Sequence, residues 1–133
     1  MKTNNVKNLL ELGAGHGRDS IFFASNGIQV AALDYSNAGI EIILHKAKKE
    51  KKELQVNSIT FDLRNALPFP NSYFDAVYSH MFLNMKFSKD ELSFIISEIR
   101  RVLKDGGLIF FQSEIIMTIF TGRGWKLKKV FMI

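Results

Sequence analysis

The sequence predicts an α/β domain whose mostly parallel sheet is wound with helices on both sides, and three observations carry that prediction. Five short apolar runs rich in β-branched and aromatic residues alternate with helix-length amphipathic segments, the pattern of strand–helix–strand crossover units. The first, second and last of these runs are nearly continuously apolar, which suits strands covered on both faces rather than strands with one wet side. Three glycines, Gly13, Gly15 and Gly17, follow the first run directly, where a strand has to turn sharply into a helix.

Taken in order, Asn8–Leu12 (NLLEL) reads as the first strand and residues 17–26 as the first helix, which starts in the glycine cluster and ends at Asn26-Gly27. Ile28–Asp34 (IQVAALD) is the second strand. Residues 36–52 form the second helix: Ser36 is a good N-cap, and Ile40, Ile43, Leu44 and Ala47 fall on one face at helical spacing. Val56–Asp62 and Phe74–Ser79 are the third and fourth strands. Residues 88–104 form the third helix, opened by a capping box of Ser88 and Glu91. It carries Leu92, Ile95, Ile96, Ile99, Val102 and Leu103, and is stopped by Asp105-Gly106-Gly107. Gly107–Gln112 is the fifth strand. The tail has sheet character, either as a hairpin through a glycine-containing turn or as one further strand at 126–132, so the C-terminal strands are abbreviated. Crossovers of this length are right-handed in nearly all parallel sheets.

Composition bounds the function. The 133 residues are expected to form one domain, 1–133, because a domain runs to about 150 residues and a chain of this length can bury about two-thirds of its unfolded surface. With 47% hydrophobic and 23% charged residues, it is neither disordered nor fibrous. The absence of Cys excludes a disulfide scaffold, Cys-ligated zinc, iron–sulfur clusters and thiol catalysis. The three His residues, without clustered acids, give no reason to expect a metal site. No apolar run approaches the roughly 18 residues that span a bilayer, and the apolar stretch near the start is short for a secretory signal, so a cytoplasmic location away from membranes is expected.

The net charge of +5 raises the question of a nucleic-acid partner. Residues 115–133 carry Arg123, Lys126, Lys128 and Lys129 and no acid, which leaves the body of the chain nearly neutral. A second basic cluster, Lys46, Lys48, Lys49, Lys51 and Lys52, alternates with Glu50 and Glu53 behind an apolar stripe, as a solvated helix face does.

The chemistry concentrates at the ends of three strands. Glycines at a strand-to-helix turn let a ligand approach the main chain, and the helix N-terminus behind them favours an anionic group. The dinucleotide fingerprint asks for a sixth-position glycine, where Arg18 stands, and no Gly-Lys-Ser/Thr follows for a phosphate loop. Asp34 ends the second strand and can accept hydrogen bonds from both hydroxyls of an adenosine ribose, with Tyr35 beside it to pack on the base. Asp62 ends the third strand, where it can accept from an adenine amino group. Each of these acids can also serve only as a turn former after a strand.

With those residues in view, the sequence resembles the class I S-adenosylmethionine-dependent methyltransferases over roughly residues 6–114. ELGAGHGR is similar to the family's first motif, ALDYS to its second, FDL to its third and FDAVYSH to its fourth, while RRVLKDGGL resembles the approach to its fifth strand. GHGRDS with AALDYS is similar to the tellurite-resistance type of small-molecule methyltransferase. The resemblance implies a Rossmann-like methyltransferase core using S-adenosylmethionine, with S-adenosylhomocysteine as product. It implies that Glu11 orients the glycine loop, and that Gly13, Ala14, Gly15 and Gly17 admit the methionine part of the cofactor. Asp34 would hold the ribose, Tyr35 would flank adenine, and Asp62 with Leu63 would read its edge. Ser79 would lie between cofactor and acceptor, with His80 the leading candidate for a general base where an acceptor needs one.

Both flanks of this core are short beside the family's pattern. Two expectations follow: an open cofactor site or one covered by a second copy in a homo-oligomer, and a chain that binds cofactor without turnover. A small-molecule acceptor is the first reading; an RNA acceptor, motivated by the basic tail, and a nicotinamide oxidoreductase are the rivals. SHMFLN in place of an NPPY-like segment after the fourth strand disfavours planar amides and base amines as acceptors.

Overall fold

The structure is a computed structural model, and it describes residues 6–79, 87–111, 116–121 and 124–129. Strand β1 (Asn8–Leu12) leads to helix α1 (Arg18–Ser25), β2 (Gln29–Asp34), α2 (Asn37–Lys49) and β3 (Val56–Thr60). The chain then crosses to β4 (Phe74–Ser79), α3 (Lys89–Val102) and β5 (Leu103–Phe111), and ends in β6 (Ile116–Thr121) and β7 (Gly124–Lys129). The strand order is β3-β2-β1-β4-β5-β6-β7. β3 through β5 run parallel, while β6 and β7 add antiparallel. The order reverses at β1, which pairs with β2 on one side and β4 on the other, so a crevice opens beyond the carboxyl ends of β1 and β4.

Side-chain alternation explains why the inner strands read as continuously apolar. Leu9, Val30, Ala32, Ala76 and Tyr78 join Phe23 and Ala24 of α1 and Ile40, Ile43 and Ala47 of α2 in one core. Their neighbours Leu10, Leu12, Ala31, Leu33 and Val77 join Ile95, Ile99 and Val102 of α3 in the other. Each large aliphatic side chain withdrawn from water contributes about 1.5–3 kcal/mol, so both faces of β1 drive folding. α2 is capped by the Ser36 hydroxyl, which accepts from the Gly39 N–H, and α3 by the reciprocal Ser88–Glu91 capping box. No described helix is long and apolar enough to cross a membrane.

The structure departs from the sequence reading in three places. α3 stops at Val102, and Leu103 is already extended and paired with Phe74. The register then jumps so that Ala76 faces Leu108. Asp105-Gly106-Gly107 therefore lies within an irregular β5 rather than at a helix end, with Gly106 at φ 82°. The apolar stripes are also narrower than the periodicity suggests: Leu44 of α2, and Leu92 and Ile96 of α3, are exposed at 49%, 36% and 41%. The inner turns of each helix fill the sheet face, leaving these flanking positions outside. In the tail, β6 and β7 pair as an antiparallel hairpin, Thr118 opposite Leu127 and Phe120 opposite Trp125, which selects the first of the two arrangements open to the sequence. β3 ends at Thr60, although the Phe61 N–H still donates to the Asp34 carbonyl at 2.8 Å.

Candidate functional site

The loop after β1 is built by its glycines. Gly13, Gly15 and Gly17 all adopt left-handed angles, at φ 69°, 59° and 81°, which side chains adopt only at a cost. The N–H groups of Gly13 and Ala14 both donate to the Leu33 carbonyl, at 2.9 and 3.1 Å, fastening the loop to the end of β2. Gly17 is the close-packing glycine: a Cβ there would stand 2.7 Å from Cγ1 of Ile43 on α2. The requirement expected one position later falls on Gly17 instead, and Arg18 turns outward, 72% exposed, toward Asp19 at 3.5 Å. A Cβ on Gly15, by contrast, would meet nothing within 4 Å, so the loop presents its main chain to open space. Ala14 itself is buried.

Asp34 couples the two strand ends. Its Oδ2 accepts from the Gly15 N–H at 2.8 Å and its Oδ1 from the Ser36 N–H at 2.9 Å, fixing the carboxylate at the loop's rim. Each carboxylate oxygen has further lone-pair capacity, so the group can still receive ligand hydroxyls. Tyr35 stands next to it with its ring 73% exposed. The cradle of open main chain, a fixed acid at the neighbouring strand end and an exposed ring fits an adenosyl ligand with an amino-acid tail.

Behind the loop lies a polar layer inside the core. Glu11 is 1% exposed and accepts a hydrogen bond from the Ser20 hydroxyl in the first turn of α1. Across the sheet, Tyr78 is the register partner of Glu11 and donates its hydroxyl to Asp19 Oδ2 at 2.9 Å. Burial pushes the Glu11 carboxyl up to about 8, against the Ser20 hydrogen bond that favours its ionised form and with the charges of Asp19 and Asp34 adding to the rise. Burial and the Asp19 carboxylate push the Tyr78 hydroxyl upward as well. Glu11 thus ties β1 to the first turn of α1, just beyond the glycine loop. Ser20, Asp19 and Tyr78 were not singled out in the sequence; the adjacency of Asp19-Ser20 to the glycine motif was their only trace.

At the third strand end, Asp62 Oδ1 accepts from both the backbone N–H and Nε of Arg64 at 3.0 Å. That guanidinium holds its carboxyl below the usual carboxylate range. Arg64 also reaches Glu91 of α3 at 3.7 Å. Leu63 is buried in the core on the α3 side. The helix-free connection that follows is pinned by Arg101, which donates to the Leu67 and Phe69 carbonyls at 2.9 and 2.8 Å. Ser79 ends β4 beside Leu12, 3% exposed, and its buried hydroxyl has no hydrogen-bond partner among the described residues. His80 lies outside the described residues. His16 and His45 are exposed.

Comparison with known proteins places this arrangement in context. Residues 10–111 match the family described as methyltransferase domain. Over 114 residues the chain is 32% identical to thiol S-methyltransferase TMT1B of Rattus norvegicus, covering 85% of this chain and 45% of that protein. A solved S-adenosylmethionine-dependent methyltransferase from Methanosarcina mazei superposes with a TM-score of 0.72 at 26% identity, covering 80% of this chain and 51% of that one. The solved [4+2]-cyclase SpnF superposes with a TM-score of 0.70 at 28% identity, covering 80% and 38%. The chain spans about half the length of these relatives or less.

Proposed function

The chain belongs to the methyltransferase-domain family, and on that premise we propose that it binds S-adenosylmethionine and transfers its methyl group to a small-molecule acceptor. The observation that carries the reading is the junction of the open glycine loop with Asp34, whose carboxylate is held by the Gly15 N–H at 2.8 Å. Asp34 accepts from the ribose hydroxyls, Tyr35 packs on adenine, and Asp62 with the backbone at Leu63 receives the adenine edge. Gly13, Ala14, Gly15 and Gly17 line the methionine part over the layer formed by Glu11 and Ser20. The bound cofactor supplies a methyl group on a sulfonium, with a neutral thioether as leaving group.

The chain's contribution is orientation: holding donor and acceptor in line supplies much of the acceleration such a displacement needs. Ser79, buried at the end of β4 with its hydroxyl unbonded among the described residues, is positioned to receive a polar atom of the bound molecules. His80, next in the chain, is the proposed base for acceptors that must lose a proton. A thiol is the first acceptor to assay, because the rat relative carries that activity in its name.

Calorimetric titration with S-adenosylmethionine, S-adenosylhomocysteine and NAD tests the reading. Saturable binding of the two adenosyl sulfur compounds is expected, with no heat from NAD and at least a tenfold loss of affinity in Asp34→Ala, the weight of about one charge-assisted hydrogen bond. Absence of binding by a folded chain overturns it. Binding without transfer to any acceptor overturns the transfer half of the reading and leaves a silent cofactor-binding domain.

A further inference from the structure

We infer that Glu11 is a specificity residue by which the site tells a sulfonium ligand from the thioether that remains once the methyl group has left. The inference rests on the cofactor reading above and extends it to the choice between S-adenosylmethionine and S-adenosylhomocysteine. Those two ligands share every polar group and differ by the methyl and one positive charge. Shape and hydrogen bonds can separate them only slightly; a fixed negative charge separates them strongly.

Glu11 is placed to be that charge. It stands near the carboxyl end of β1, two residues before Gly13, and is bonded to Ser20 in the first turn of α1, the helix that the glycine loop leads into. At 1% exposure it is shielded from solvent, so its field is screened less than that of a surface acid. Its bonded partner is the neutral Ser20 hydroxyl, and among the described residues no cation pairs with it. The charged and titratable groups around it are Arg18 and Asp19 on α1, Asp34 at the end of β2, and Tyr78 on β4. Asp19 is engaged by the Tyr78 hydroxyl and by Arg18, and Asp34 by two backbone N–H groups. Glu11 differs from these acids in being the most deeply buried of the three, with a neutral hydroxyl rather than a cation or backbone N–H groups as its bonded partner.

Burial pushes the Glu11 carboxyl up to about 8, so the discrimination is pH-dependent. A cation bound above the loop favours the ionised carboxylate, and ionisation in turn favours the cation; linkage makes the two effects equal. Below about pH 7 the carboxyl is neutral and the two ligands bind alike. Above about pH 9 it is charged and the sulfonium is preferred.

The test measures both dissociation constants by calorimetry from pH 6.5 to 9.5 in wild type, Glu11→Gln and Ser20→Ala. In wild type the ratio of the S-adenosylhomocysteine to the S-adenosylmethionine constant is expected to rise about tenfold, the size expected for unit charges roughly 10 Å apart at an effective dielectric of about 20. In Glu11→Gln the ratio is expected to change much less, and whatever change persists measures the ligands' own amino-group titration. In Ser20→Ala the midpoint is expected to move to higher pH, because a hydrogen bond favouring the ionised form is lost. A ratio that follows the same course in wild type and Glu11→Gln overturns the inference while both ligands still bind. Failure of either ligand to bind the folded wild type overturns the cofactor reading and this inference with it. Should Glu11→Gln not fold, an unmoved midpoint in Ser20→Ala is the overturning result.

Discussion

Glu11 near the carboxyl end of β1 and Asp62 two residues beyond β3 are both acids, and the fold treats the two in opposite ways. Glu11 is sealed between β1 and α1 with a hydroxyl for a partner, and burial drives its carboxyl up to about 8. Asp62 sits at the rim with its side chain 45% exposed, paired to Arg64, and its carboxyl falls below the ordinary range. The chemistry of the group is the same; burial against pairing decides the sign.

The largest effect that sharpens this contrast lies in stability against pH. The folded protein retains the Glu11 proton up to about pH 8, whereas the unfolded chain releases it near 4.5. Folding therefore takes up a proton between those values. The stabilising contribution is complete below about 4.5 and is lost as pH rises through about 8, a decline on the order of 5 kcal/mol. Urea unfolding at pH 5, 7 and 9 is expected to show that slope in wild type and to show it largely removed in Glu11→Gln. A wild-type midpoint that does not fall with pH breaks the contrast.

Gly17→Ala probes the close contact between the N-cap of α1 and Ile43 of α2. The new Cβ has to hold φ near 81° and stand 2.7 Å from Ile43 Cγ1. The expected loss is about 2–4 kcal/mol, from left-handed strain and overpacking together, read as a lower urea midpoint. Gly15→Ala, with open space around its Cβ, is expected to lose only the strain portion and to weaken ligand binding more than folding.

The smallest effect belongs to the rim. Arg64→Ala is expected to leave the unfolding midpoint unchanged within error, since an exposed pair is screened by solvent. The Asp62 carboxyl should return toward its ordinary value in a carbon-detected NMR titration. A substantial loss of stability in this variant would show that the pair holds the β3–β4 connection, a task the structure gives to Arg101.

Much of this was legible before the structure. The alternation of NLLEL, IQVAALD and FDAVYS with amphipathic segments fixes the layered architecture, because strands buried on both faces have to be apolar at every position. The glycine spacing marks the loop, and Asp34 at the end of its strand marks the rim of the site. The hydroxyls of Ser20 and Tyr78 were not legible, since neither Ser nor Tyr is unusual in a helix or a strand and only the β1–β4 register brings Tyr78 beside Glu11. Arg64 was hidden for the same reason, its pairing being a matter of turn geometry two residues after Asp62. The helix flank positions Leu44, Leu92 and Ile96 looked buried because periodicity reports which face is apolar, not how far the sheet reaches beneath it.

Local residue pattern therefore settles the elements, their order and the position of the open glycine loop, since each depends on contacts within a few residues. Tertiary packing settles the protonation of Glu11, the identity of Gly17 as the contact glycine and the pairing of the tail as a hairpin. Those outcomes depend on what stands across a strand pair or a helix crossing, where solvent is excluded and the dielectric falls.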